Sequence, residues 1–290
     1  MRTFVMSALC LVCVAATVFP EDGEDTPGFR ASYLPKTLEA DQMTVGSSKT
    51  RKGSCSYGDT NAVASISLPG NKHMENDLLL GVRRVHLGLS SKIRSKDTLY
   101  GVLGINSHYT GTDRWDWQGN FVIQPDMVRS NIARKTRYIA ALNGRFAASS
   151  RTGIHVGFYS ELGMRASFVH PLIGVDYTRG PWLIQAIFPI KAGISYQGYE
   201  DHVLSLMARP FKTAVRVHKG LHDRPAIAQY VNTGGEFRWD YLPTKRWNFW
   251  AALGRTFGGT LFIGDKHNNH RHHIHLHQSP YFNIGVTFTP

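Results

Sequence analysis

The segment YFNIGVTFTP, residues 281–290, ends the chain with apolar side chains at every second position. These side chains are Phe282, Ile284, Val286 and Phe288, and asparagine, glycine and threonine stand between them. A period of two is the signature of a β-strand whose two faces meet different surroundings. The end of the chain therefore predicts a sheet, one face of which contacts something apolar.

Four further segments alternate in the same way: residues 138–146, 154–162, 173–177 and 237–241. One face of these segments has no charged side chain. The opposite face holds the charged side chains Arg137, Arg145, Glu161, Asp176, Glu236, Arg238 and Asp240. We therefore predict an all-β protein in which these charged residues share the polar face of the sheet.

Two all-β architectures have such faces. In a soluble sandwich the apolar face forms the core, whereas in an outer-membrane barrel it meets lipid and the polar face lines the lumen. Aromatic residues near strand ends, Trp182, Trp247, Trp250 and Tyr281, match the girdles of a barrel. They favour an antiparallel transmembrane β-barrel of about 12 strands, within a range of roughly 10–14, with the charged face toward the lumen. A soluble exported β-sandwich is the alternative.

The chain is predicted to have three parts. Residues 1–16 form a signal peptide, because the basic start Met1–Arg2 leads into the apolar run Thr3–Val18 and small residues at 14–16 suit signal peptidase. A membrane anchor is the alternative, but the run is shorter than the roughly 20 apolar residues that a spanning helix needs. Residues 17–60 are predicted to be a polar N-terminal extension, and residues 61–290 the barrel.

Apolar runs and cysteines exclude two other classes. Beyond the signal region the sequence has no apolar run long enough for a spanning helix, which argues against a helical membrane protein. Cleavage of the signal would leave Cys55 as the only cysteine, so no disulfide framework is expected. We interpret Cys55 as an inert thiol, with an intermolecular bridge as the alternative.

The direction of the last strands follows if both termini lie in the periplasm. The final strand then runs inward and the segment Trp247–Ile263 runs outward. The short connection Leu242–Arg246 between strands is expected at the periplasmic edge, and the long connection Gly264–Ser279 is expected outside.

Three arginines conflict with an apolar wall. Arg83 and Arg84 are adjacent, so one of them must face lipid or headgroups unless a bulge redirects it. Arg255 raises the same difficulty. Arginine at the bilayer midplane costs about 2–4 kcal/mol but only about 0–1 kcal/mol near an interface. We expect one of the adjacent pair near a strand end or at a bulge.

The connection after residue 264 is rich in histidine. It holds six of the fourteen histidines of the chain: His267, His270, His272, His273, His275 and His277. If the segment continues as hairpin arms, His273, His275 and His277 project on one side. His270, His272, His273, His275 and His277 are our candidate ligands for Zn²⁺, Cu²⁺ or Ni²⁺. A protonation switch and a merely polar loop are the alternatives.

The net charge of +12 favours anionic partners. Lysines and arginines can line a lumen that prefers anionic solutes, or can face lipopolysaccharide phosphates. Nucleic acid is not expected as a partner, because the chain has an export signal and lacks a recognition motif. Catalytic motifs such as GxSxG, HExxH and the Walker loop are absent from the sequence, so we expect neither an enzyme nor a cofactor-binding protein.

The signal, the alternating strands and the aromatic closing strand together resemble Gram-negative outer-membrane β-barrel proteins. The pieces WLIQAIFPIKAGISYQ and GEFRWDYLPTKRWNFWAALGRTFGG resemble an uncharacterised family of such barrels, porin-like in kind. The resemblance implies an outer-membrane location, contact with lipid and lipopolysaccharide, and insertion by the barrel-assembly machinery. Two functions remain open: a porin-like channel for small anionic solutes, and a non-conducting structural or surface-interaction barrel.

Overall fold

The described part of the chain is all-β. The computed structural model describes residues 35–50, 53–71, 73–89, 96–111, 114–127, 136–163, 168–219, 224–265 and 272–290. None of these residues belongs to a helix long and apolar enough to cross a membrane. The strands are β1 Pro35–Thr50, β2 Gly53–Asn71, β3 Met74–Leu89, β4 Lys96–Tyr109, β5 Trp115–Gln124, β6 Arg137–Ala147, β7 Thr152–Gly163, β8 Phe168–Arg179, β9 Trp182–Phe188, β10 Lys191–Tyr196, β11 His202–Lys219, β12 Arg224–Thr244, β13 Trp247–Asp265, β14 His272–Leu276 and β15 Pro280–Phe288.

The sheet closes on itself as an antiparallel barrel. Each strand from β1 to β13 pairs with the next, and β15 pairs with both β13 and β1. The short strand β14 pairs with β13 in the same register as β15, with Gly259 opposite Leu276 and Arg255 opposite Pro280. β14 and β15 are therefore one interrupted strand, and the described residues form a barrel of 14 strands. The prediction of an all-β barrel is confirmed, whereas the best single number of 12 was too low.

The predicted barrel boundary was also wrong. Residues 35–50 and 53–60, which we expected in a polar extension, lie in β1 and the first part of β2, so the described barrel includes residues that precede Asn61. β1 was missed because its sequence, PKTLEADQMTVGSSKT, is mostly polar, and its register shifts between Val45 and Ser48. The proposed signal peptide and the rest of the extension lie outside the described residues.

An even number of strands places the start of β1 and the end of β15 at the same edge of the barrel, which we call the lower edge. Two of the tightest turns lie there, where Thr244 pairs with Trp247 and Arg179 pairs with Trp182. The opposite, upper edge carries the connection between β13 and β14. The histidine-rich segment continues β13 as the second arm of a hairpin, with Phe262 opposite His273, as expected.

The outer wall of the lower half is apolar. Phe237 is 51% exposed and Leu253 is 64% exposed, and the apolar positions of the last strand, Phe282 and Ile284, face outward as well. Two aromatic residues predicted for the girdle point inward instead. Trp250 is buried against Arg238, and Tyr281 is buried against Glu236.

These two aromatic rings point inward because successive side chains of a strand alternate between its two faces. Trp250 alternates with the outward Phe249, and its ring lies where a Cβ on Gly285 would clash with it. Tyr281 likewise covers Gly254 from the inside. Position near a strand end predicted a girdle, but alternation and the two glycines decide which side the rings occupy.

In the longest strands, the outward and inward faces exchange apolar for polar side chains about halfway up the barrel. Along β3 the outward side chains change from Leu80 and Val82 to Arg84 and His86, whereas the inward ones change to the buried Val85 and Leu87. The interrupted last strand repeats the change. Its outward side chains are Phe282 and Ile284 below and the exposed His273 and His275 above. Leu276, in the upper half, is buried. The lower half thus has the pattern of a membrane barrel, and the upper half that of a water-soluble sheet.

The inversion explains Arg83 and Arg84 without a bulge. Arg83 faces the interior, where it bonds Asp59, and Arg84 faces outward, where it bonds Asp97 at 2.9 Å. Arg84 lies ten residues above Met74, about 26 Å at roughly 3.4 Å per residue and a tilt of about 40°. Since the apolar band of such barrels is about 25 Å tall, Arg84 reaches its upper boundary.

The upper half is filled by an apolar core that joins opposite walls. Tyr57 on β2 stacks on Tyr230 on β12 with 4.8 Å between ring centroids, and the Tyr100 hydroxyl on β4 donates to the Ala214 carbonyl on β11 at 3.2 Å. A circular barrel of 14 strands would be roughly 28 Å across, so these contacts require a flattened cross-section. The core consists of Met43, Val45, Cys55, Tyr57, Val85, Leu87, Leu89, Tyr100, Phe211, Ala214, Val215, Ile227, Ala228, Tyr230, Leu261, Ile263, Leu276 and Tyr281. Cys55 lies in this core as a free, buried thiol.

Candidate solute site inside the barrel

The lower half of the barrel encloses a polar cavity of about 560 Å³. It lies against β4 to β10, on the side where the strands are short, and below the apolar core. Amide side chains are frequent in its lining. The lining residues are Asn106, Asp116, Gln118, Gly119, Asn120, Ala141, Asn143, Arg145, His155, Leu172, Asp176, Thr178, Leu183, Gln185, Ile187, Ile190 and Lys191.

Arg145 and Asp176, two of the predicted lumen charges, form an ion pair on the wall of this cavity. The guanidinium binds the carboxylate through two hydrogen bonds of 2.7 Å each, and the Nε2 of His155 lies 2.7 Å from Asp176 Oδ2. Gly153 leaves room for the pair, because a Cβ at that position would clash with both side chains. The arrangement fixes the donors of Arg145 along the cavity.

A layer of ion pairs separates the cavity from the apolar core. Arg137 and Glu161 form the most buried pair, with side chains 2% and 4% exposed and Nη2 2.6 Å from Oε1. Arg137 lies on the same face of β6 as the cavity residue Ala141, four residues higher. Arg83 with Asp59, and Arg209 with Glu236, complete the layer at 2.6 Å and 3.1 Å.

Side chains from non-adjacent strands tie this layer together. Arg83 on β3 donates to the Gln124 side chain on β5 at 3.2 Å, and Tyr281 on β15 donates to Glu236 on β12 at 3.0 Å. The network is incompletely satisfied, because Arg137 Nη1 and Arg209 Nε are buried without a hydrogen-bond partner among the described residues. The layer lies between the cavity and the apolar core.

The remaining predicted lumen charges lie lower on β12. Arg238 binds Asp240 through bonds of 2.9 Å and 2.6 Å and lies over the ring of Trp250 at 4.3 Å. The structure thus places the seven predicted residues in the interior and joins six of them in three pairs, while Glu236 pairs with Arg209. Arg209 was missed because alternation is less regular along β11.

Lys191 also lines the cavity and was not predicted from the sequence. It differs from the other charged lining residues in its surroundings. It is the first residue of β10, at the point where the short hairpin of β9 and β10 turns back. Within the described part of the chain, no carboxylate lies at ion-pair distance from its ammonium group. Lys191 therefore gives the cavity a cation that is free to bind a solute.

Those candidate metal ligands that the structure describes lie toward the upper edge. His270 is outside the described residues, and for His272 only the backbone is described. His273, His275 and His277 are exposed, and His273 packs edge-on against Phe262 at 4.8 Å. Among the described residues, no group of three or more potential ligands is arranged to hold a metal ion. Metal binding stays a prediction.

Zinc titration tests that prediction. We expect the refolded protein to bind Zn²⁺ and a variant with His270, His272, His273, His275 and His277 replaced by serine to lose that binding in calorimetry. The control is His202→Ser, which removes an imidazole near the lower edge. Equal zinc binding by the wild type and the fivefold variant would exclude the histidine-rich segment as the site.

Comparisons with known proteins bear on the fold. No family model and no curated protein matches the chain. Among solved structures, the COG4313 outer membrane channel from Pseudomonas putida F1 has a TM-score of 0.51, with 7% identity over 93% of this chain and 98% of that one. The translocator domain of the autotransporter NalP from Neisseria meningitidis has 0.45, with 9% identity over 98% and 97%. The KdgM porin in complex with disordered oligogalacturonate has 0.40, with 10% identity over 88% and 99%.

The likeness to the Pseudomonas putida channel is one of fold, because the identity is far too low to carry a residue-level comparison. Together with the closed antiparallel sheet and its apolar outer wall, it shows that the chain has the fold of an outer-membrane β-barrel. The resemblance seen in the sequence is confirmed at this level.

Proposed function

We propose that the protein is an outer-membrane channel for small anionic solutes, with its upper half closed in the conformation described. This proposal rests on the polar cavity of about 560 Å³, in which no carboxylate of the described residues lies at ion-pair distance from Lys191. An unpaired cation in a narrow polar lumen favours anions over cations of the same size.

Two features support the membrane location. The lower half is apolar outside and charged inside, which is the pattern of a barrel wall in lipid. The lower edge carries tight turns and the end of the last strand, as the periplasmic edge of such barrels does. On this assignment the upper half projects from the cell surface, where its polar outer face meets water and its apolar core stays buried.

A second function is favoured by a different observation. The layer of ion pairs and the stacked Tyr57 and Tyr230 close the interior above the cavity. A barrel that stays closed in this way would be a non-conducting structural or surface-interaction protein.

Planar-bilayer recording distinguishes the two functions. We expect discrete, anion-selective current steps from the purified full chain in phosphatidylcholine bilayers. Silence at high protein levels, with heat-modifiable gel migration showing a folded barrel, would exclude the channel and leave the structural barrel.

Lys191→Gln tests the origin of the selectivity. We expect its anion-to-cation permeability ratio to fall about fivefold, since a unit charge at 4 Å contributes about 1 kcal/mol even in bulk water. The measurement is the reversal potential in a salt gradient. Lys245→Gln, the same change at an exposed turn residue, is the control and should leave the ratio unchanged. An unchanged ratio in Lys191→Gln would remove Lys191 from the selectivity site.

A further inference from the structure

A second cavity lies on the outside of the barrel, where β13 and the last strand are both interrupted. On β13, Phe257 and Gly258 together oppose one residue of β12, and Gly258 has φ +100°, a conformation that favours glycine. Beside them, residues 277–279 separate β14 from β15. The two interruptions leave a groove of about 460 Å³, lined by Arg255, Phe257, Gly258, Leu276, His277 and Gln278.

The polar groups of this groove suit an anion. Arg255 is exposed and, among the described residues, has no carboxylate at ion-pair distance. His277 and Gln278 are exposed beside it, and the lining contains no acidic residue. A guanidinium fork with a neighbouring imidazole and amide matches the oxygen atoms of a phosphate group.

The height of the groove indicates where the phosphate comes from. Arg255 lies eight residues above Trp247, about 21 Å at roughly 3.4 Å per residue and a tilt of about 40°, close to the top of an apolar band about 25 Å tall. The neighbouring outward side chains Leu253 and Phe257 are 64% and 59% exposed. A ligand at this position meets cationic and amide groups beside a surface that is suited to acyl chains.

We propose that the groove binds a phosphate group of lipid A, the phosphorylated, acylated glucosamine lipid of the outer leaflet. This inference rests on the outer-membrane location given under the proposed function. It accounts for two features that the channel leaves unexplained: an arginine on the apolar wall and the last histidine of the histidine-rich segment. The arginine is stabilised there because its charge meets a lipid phosphate and not hydrocarbon.

Binding is tested with the full chain refolded in phosphatidylcholine nanodiscs. Native mass spectrometry and the midpoint of heat-modifiable gel migration are recorded with added lipid A, with enzymatically dephosphorylated lipid A and with inorganic phosphate. We expect lipid A to bind and to raise the midpoint, and the two other compounds to do neither at the same concentration.

The variants locate the site. Arg255→Gln is expected to weaken lipid A binding by roughly 10- to 100-fold, the usual effect of losing hydrogen bonds to a charged group. His277→Gln is the second variant, used if Arg255→Gln does not fold. We expect it to weaken lipid A binding less than Arg255→Gln does. Arg179→Gln changes an exposed arginine at the lower edge and should bind as the wild type does.

Each remaining outcome overturns the proposal. Wild-type affinity in a folded Arg255→Gln, equal binding of dephosphorylated lipid A, and no binding by the wild type all contradict a lipid A phosphate site. Competition by millimolar inorganic phosphate would assign the groove to a free anion instead. Because conductance is recorded in bilayers without lipid A, failure here leaves the test of the channel unaffected.

Discussion

Replacing Arg137 by methionine is expected to lower the free energy of unfolding by about 3–5 kcal/mol, because it leaves the Glu161 carboxylate buried without its partner. Both side chains are almost fully buried, and the guanidinium makes bonds of 3.0 Å and 2.6 Å to one carboxylate oxygen. Urea titration of the barrel in liposomes, followed by tryptophan fluorescence, measures the change.

Two further variants separate charge burial from lost contacts. Arg137→Met combined with Glu161→Leu removes both charges while filling the space, so its stability should return close to that of the wild type. Arg145→Met should cost less than Arg137→Met, since Arg145 is 38% exposed and Asp176 keeps its contact with His155. Equal losses in the single and double variants would show that the pair contributes by packing and not by charge compensation.

Alternation along the strands was enough to predict the barrel and the inner face of seven charged residues. Where apolar and charged residues alternate cleanly, as from Phe237 to Tyr241, only one face can meet lipid, so the sequence determines the orientation. Strand number could not be read in the same way. β1 lacks an apolar stripe, because two of its outward positions are Gln42 and Thr44. It forms a strand through backbone pairing with β2 and β15.

The closed upper half was missed although its signal is in the sequence. In NDLLLGVRRVHLGL the outward positions turn polar at Arg84, about as far along the strand as an apolar band is tall, and the inward positions turn apolar at Val85. Arg83 and Arg84 conflict with a single alternating pattern, but they mark the change from one pattern to the other. The contact of Tyr57 with Tyr230 was beyond prediction, because it depends on how far a barrel of 14 strands is flattened.

The same inversion reconciles the two architectures that the sequence left open. Below Arg84 on β3, and up to Phe257 on β13, the sheet follows the rule of a lipid-facing barrel, and beyond these residues it follows the rule of a soluble sandwich. A solute that enters the lower cavity therefore meets two barriers of different kinds. The first is the layer of ion pairs at the boundary, and the second is the apolar core beyond it on the side of β1–β3 and β11–β15.

Opening the first barrier should raise conductance. Arg137→Ala combined with Glu161→Ala removes the most buried pair of the layer and leaves a void directly above the cavity residue Ala141. Because the neighbouring ion pairs keep the void polar, water should enter it, and we expect the single-channel conductance to increase severalfold over that of the wild type.

The filled variant Arg137→Met with Glu161→Leu is the matched control, since it removes the same two charges without opening space. Its conductance should stay at or below the wild-type level. Tyr241→Ala controls for the loss of a large side chain from the outward, lipid-facing wall. If the alanine variant folds, by heat-modifiable migration, and conducts no better than the filled one, the layer of ion pairs is not the barrier. Closure then lies in the apolar core, where an enlarged cavity cannot help an anion because no polar group replaces its hydration.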